Sequence, residues 1–171
     1  MKVAHLRRAA LVIAAAALLG CGEPPLSPVP PPQASLIGSI LQVTGLLGCT
    51  PMPAATATRT VGAAGGVIRI GPHTLSIPAG ALTAPVTITA TAPSDNVNRV
   101  RFQPEGLVFL RAATLTMSYG NCNLLGQILP KRIAYTDDAL SILSYVLSLD
   151  NLFGKYVTGR LNHFSNYAIA W

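Results

Sequence analysis

The sequence predicts an all-β fold, an antiparallel β-sandwich, and three observations carry that expectation. From about Thr56 onward apolar residues alternate with Thr or Ser, the period of a strand with one face buried and one face wet. The alternating runs are short and are separated by Gly, Pro and Asn/Asp punctuation, the spacing of a sandwich rather than of strand-helix units. The chain is long enough for one such domain. In order, Val67-Ile68-Arg69-Ile70, Thr74-Leu75-Ser76-Ile77, Val86-Thr87-Ile88-Thr89-Ala90-Thr91, Thr114-Leu115-Thr116-Met117-Ser118-Tyr119 and Leu143-Ser144-Tyr145-Val146-Leu147-Ser148-Leu149 read as strands. Leu140, Leu143 and Leu147 also fit a helical spacing, so the last of these has a helical alternative. Further strands are expected over 131–136, 155–161 and 166–171. Gly65-Gly66, Gly71-Pro72, Pro78-Ala79-Gly80, Pro104-Glu105-Gly106 and Asp150-Asn151 mark the turns. Gly80 and Gly106 follow a Pro two positions earlier, where Pro presets one turn residue and Gly supplies a positive φ.

The N-terminal segment has a different composition. Lys2, Arg7 and Arg8 precede an unbroken apolar run of eleven residues, 9–19, that ends at Gly20. This is the positive, apolar, small-residue order of a secretory signal, and the run is short of the ~20 residues a spanning helix needs. Leu18-Leu19-Gly20-Cys21 resembles the lipobox of bacterial lipoproteins, in which cleavage precedes a cysteine that is then acylated. The resemblance implies lipidation of Cys21, a membrane partner reached through that acylated residue, and residence in a bacterial cell envelope. Gly22 rather than Asp follows the cysteine, which favours the outer membrane if the host is Gram-negative. Six prolines then fall within 21–32, a density that biases the backbone toward extended polyproline II and makes a spacer.

The expected organisation is therefore a signal at 1–20, a Pro-rich linker at 21–33, an apolar segment or linker at 34–58 and the sandwich domain at 59–171. Within 34–48, Leu36, Ile40, Val43 and Leu47 share a helical face, while Gly38, Gly45 and Gly48 oppose a stable helix. The segment reads as an element packed on the domain, with a membrane contact, a partner-docking segment or a carrier site for an apolar ligand as alternatives.

Removing 1–20 leaves nine Lys+Arg against six Asp+Glu, a net charge of +3. The basic residues are dispersed, with no run and no basic-aromatic stripe, which argues against nucleic-acid binding. Of the three cysteines, an acylated Cys21 leaves Cys49 and Cys122, an even pair in a compartment where disulfides persist. They are expected to pair, with two separately buried thiols as the alternative.

Gly65-Gly66-Val67-Ile68-Arg69-Ile70, Leu75-Ser76-Ile77-Pro78-Ala79-Gly80-Ala81-Leu82, Pro104-Glu105-Gly106-Leu107-Val108-Phe109 and Thr114-Leu115-Thr116 follow one another in the order seen in ZU5 domains. His163-Phe164-Ser165 with Tyr167-Ala168-Ile169 resembles the close of bacterial ZU5-like domains, and Ala112-Ala113 depart from the Pro usual before the Leu-Thr strand. The resemblance covers about 60–171. It implies a β-sandwich serving as a structural or protein-interaction module, without a substrate pocket.

Chemistry-bearing patterns are sparse. His73 and His163 are the histidines beyond the signal, Cys49 and Cys122 lack zinc spacing, and Asp137-Asp138 lacks a calcium-loop ladder. No metal or cofactor is expected, no nucleophile elbow is present, and no enzyme acting on a separate substrate is predicted. The one reactive arrangement is His163-Phe164-Ser165. By resemblance to self-cleaving ZU5 proteins it implies an N-to-O acyl shift: Ser165 attacks the Phe164 carbonyl while His163 takes the proton. Asn162 and Asn166 are the candidate oxyanion donors. The plain alternative is a packing motif in which Phe164 fills the core.

Overall fold

The computed structural model describes residues 45–125 and 128–171. These form eleven strands in two antiparallel sheets, packed face to face, with no helix among the described residues. The strands are β1 (Ala55–Val61), β2 (Gly66–Ile70), β3 (His73–Ile77), β4 (Val86–Ala92), β5 (Arg99–Gln103), β6 (Val108–Ser118), β7 (Arg132–Thr136), β8 (Ile142–Tyr145), β9 (Ser148–Asn151), β10 (Tyr156–His163) and β11 (Asn166–Ala170). One sheet has the order β1-β4-β5-β11-β7-β8 and the other β2-β3-β6-β10-β9. The expected signal and spacer, Cys21 and the first part of the apolar segment lie outside the described residues.

Alternation places the core. Ile68, Ile70, Leu75, Ile77, Leu115, Met117, Val157 and Leu161 point inward from one sheet, and Ile88, Ala90, Val100, Phe102, Ile133, Tyr167 and Ile169 from the other. At their centre Phe164 stacks on Phe102 (ring centroids 4.8 Å) and meets Phe109 edge-on (4.9 Å). The six-stranded sheet is also covered on part of its outer face. Leu46 packs there with Val97, Ala134, Ala168 and Ala170, which is why all five residues of β11 are buried.

Leu46 bridges to Ala170, Leu47 donates its N–H to Ile169 O at 2.9 Å, and Gly48 bridges to Val97. The sandwich thus begins before residue 59, and 45–58 is built into it rather than linking to it. The expected strand at 143–149 is two strands. β8 ends at Tyr145, Val146 turns inward to the core, and β9 starts at Ser148 in the opposite sheet. Asp150-Asn151, expected as a turn, continue β9 in register with Val157 and Tyr156, because the Asp150 carboxylate accepts from Tyr119 OH (2.6 Å) and Lys131 N–H (2.8 Å). The turn falls at 152–155 instead.

Candidate functional site

β10 and β11 are joined by Phe164 and Ser165, so the tripeptide His163-Phe164-Ser165 crosses from one sheet to the other. Phe164 and Ser165 are buried and His163 is half-buried. The Phe164 N–H donates to Leu107 O at 2.8 Å, and the Phe164 carbonyl accepts the Gly106 N–H at 3.0 Å. The Phe102 N–H donates to Ser165 O at 3.2 Å, and Tyr167 OH donates to His163 O at 2.7 Å. Both backbone groups of Phe164 are thereby held by the turn before β6, and the Ser165 carbonyl by β5.

Gly106 has φ +75° with open space where a Cβ would stand. The Pro104-Glu105-Gly106 turn, which the sequence marks as structural, thus aims an N–H at the oxygen that would carry charge in an acyl shift. His163 Nδ1 lies 3.4 Å from the same oxygen. Its ring contact is with the carbonyl rather than with the Ser165 hydroxyl, so the base of the expected mechanism lies beside the electrophile. Asn166 is engaged elsewhere, donating to Asp138 at 2.8 Å and accepting from Arg101 at 2.9 Å, and Asn162 is exposed. The peptide donor near the Phe164 oxygen is Gly106, which no side-chain search of the sequence would find.

The His163 ring faces a cleft of about 500 Å³ between the sheets, lined also by Tyr135, Ser144, Leu147, Arg160 and Tyr167. Tyr135 meets His163 edge-on at 5.3 Å. Burial, with Tyr135 alongside, pushes the Tyr167 hydroxyl far above the ordinary tyrosine range, so it stays a donor to His163 O.

Cys49 and Cys122 form the disulfide, with S–S 2.01 Å. It sits where 45–50 runs beside the end of β6, with Thr50 N–H on Asn121 O and Asn123 N–H on Gly48 O, both 2.9 Å. Asp137 closes the turn after β7 by accepting from Ser141 N–H (2.8 Å), and Asp138 pairs with Arg101. Among the described residues no group of three His, Cys, Asp or Glu could hold a metal ion. Of the apolar segment proposed to carry a ligand, 34–44 lies outside the described residues, and Leu46 and Leu47 are buried in the fold.

Comparison of the sequence with protein-family models and with curated proteins finds no match.

Proposed function

We propose that this chain is an exported, lipid-anchored β-sandwich that works as a structural or protein-interaction module of the ZU5-like kind in a bacterial envelope. The observation that carries the reading is the disulfide: Cys49 and Cys122 consume each other, leaving Cys21, the residue at the end of the Leu-Leu-Gly-Cys stretch, as the remaining thiol. A domain cross-linked in this way belongs in an oxidising compartment, which agrees with a secretory signal upstream. The motif order supports the ZU5-like part. Ile77-Pro78-Ala79-Gly80 forms the turn leaving β3, and Pro104-Glu105-Gly106 opens β6. Stable attachment requires more than one acyl chain, each buried CH₂ contributing about 0.8 kcal/mol. Mature protein should begin at an acylated Cys21 and fractionate with membranes, and Cys21→Ser should lose most of that retention. Equal membrane retention by both would overturn the anchor.

A second reading is favoured by the Gly106 N–H on the Phe164 carbonyl: self-cleavage between Phe164 and Ser165. Ser165 Oγ attacks the Phe164 carbonyl carbon and gives its proton to His163, whose ring must first turn from the carbonyl oxygen it faces toward the hydroxyl. The C–N bond breaks as that proton passes to the new Ser165 amine, and water hydrolyses the resulting ester to the Phe164 carboxylate and the Ser165 hydroxyl.

A further inference from the structure

We propose that the sandwich itself docks on an anionic bilayer surface, through the loop tips at the end where the polypeptide enters the fold. The expectation that a membrane is near rests on the lipid-anchor reading; the surface stands on the following geometry.

Several connections meet at one end of the sandwich. Tyr119, just after β6, donates its N–H to Lys155 O at 2.8 Å, and its hydroxyl reaches Asn151 O at 3.1 Å. Lys131, just before β7, donates its N–H to Asp150. The loop after β6 and the turn between β9 and β10 therefore stand side by side. Their outermost side chains are apolar: Phe153 is fully exposed, Ile128 93 % exposed, Leu125 84 % and Leu152 57 %. Leu149 in the edge strand β9 and Leu147 just before it are exposed as well. Apolar side chains left in water at the tip of a turn, where the fold has no use for them, mark an interaction site.

Gly45, the first described residue, lies at the same end. Its carbonyl accepts from Trp171 N–H at 3.1 Å, and the neighbouring Leu46 bridges to Ala170, which in turn opposes Arg132 at the start of β7. The polypeptide thus enters the described fold at the end that carries these tips. Charge agrees with a lipid occupant. Lys155 stands in the turn itself and Arg132 starts β7 at the same end with its guanidinium over the Tyr145 ring (5.1 Å), while Asp95 is paired with Arg99 at 2.8 Å and Asp150 is turned inward on Tyr119 and Lys131. Apolar residues that can enter the acyl boundary, beside cations that meet acidic headgroups, are the two terms of peripheral membrane binding.

The test uses the acylated mature chain in vesicles of phosphatidylcholine and phosphatidylglycerol, with Trp171→Phe as background. Phe153→Trp should be quenched by brominated acyl chains. Val108→Trp, at the opposite end of the eleven-residue β6 and hence about 30 Å away, should not. Absence of quenching from Phe153→Trp while the protein still fractionates with the vesicles would overturn the docking and leave the anchor standing; equal quenching of both would overturn the orientation. The unacylated Cys21→Ser chain provides the second arm. It should bind these vesicles weakly, and Phe153→Ser or Lys155→Gln should each weaken binding several-fold. Binding unchanged by both substitutions would overturn the proposal, as would lipid-free self-association abolished by Phe153→Ser, which would give the surface to a second copy.

Discussion

Cys122 holds Cys49 directly opposite itself as a cross-strand pair, so the strand-like segment that brings Leu46 and Leu47 into the fold is fastened covalently to the end of β6. The two half-cystines are 73 residues apart. A ring of that size removes enough denatured-state freedom to contribute about 4 kcal/mol in the chain-entropy model. Cys49→Ala with Cys122→Ala should lower the unfolding free energy by a few kcal/mol in urea titration. An unchanged midpoint would mean that the outer layer over β11 holds without the bond.

Gly65 and Gly106 separate two costs of a positive φ. At Gly65 (φ +73°) an added Cβ would lie 2.3 Å from Ile77 O and 2.7 Å from Pro78 C, both backbone. At Gly106 (φ +75°) it would meet nothing within 4 Å. Gly106→Ala should therefore cost only the left-handed conformation, about 1 kcal/mol, and Gly65→Ala clearly more than about 2 kcal/mol, since main chain must move as well. Equal losses in thermal or urea unfolding would contradict this assignment.

His73 is buried, and its Nδ1 accepts the Ser118 N–H at 3.2 Å. Desolvation holds its pKa at about 4, below the ordinary 6.5. Above pH 6.5 the ring is neutral in folded and unfolded chains alike, so it adds no slope. Between 6.5 and about 4 the unfolded chain binds the proton and the folded one does not, so stability falls as the pH falls, by up to about 3 kcal/mol from this residue. His73→Gln should flatten the unfolding free energy over that window; an unaltered slope would assign it to other groups.

Self-cleavage should be invisible under native conditions. The released chain 165–171 carries β11, which is hydrogen-bonded to β5 on one side and β7 on the other. Gel filtration should show one species, and denaturing mass spectrometry a chain ending at Phe164 beside a heptapeptide. Ser165→Ala should abolish the fragment, and His163→Ala should slow its formation by roughly 10²-fold or more, the usual worth of a general base. Gly106→Ala keeps the N–H but strains the positive-φ turn that aims it, so cleavage should slow rather than stop. Intact mass alone after prolonged incubation would leave the tripeptide as core packing.

Much of the fold was legible because Thr and Ser alternate with Val, Ile and Leu in the strands that pack one face inward. β5 escaped notice although Arg99-Val100-Arg101-Phe102-Gln103 alternates equally well; its polar members are charged and its run is short. The split of 143–149 was hidden because period two is the same on both sides of a crossing between sheets. The Cys49–Cys122 pairing was readable from the cysteine count together with the expected export signal. The Gly106 contact was not, since a peptide N–H leaves no trace in residue identity and its target lies 58 positions away.

The chain turns the corner between the sheets on both flanks of the sandwich. β1 and β2 are the edge strands on one flank and are consecutive; β8 and β9 are the edge strands on the other and are consecutive too. The two sheets are therefore stitched at both seams, like a sleeve pressed flat, with β10 and β11 crossing at its middle. Neither sheet can peel away without dragging an edge of its partner. A domain laced in this way is expected to lose both sheets in a single cooperative step.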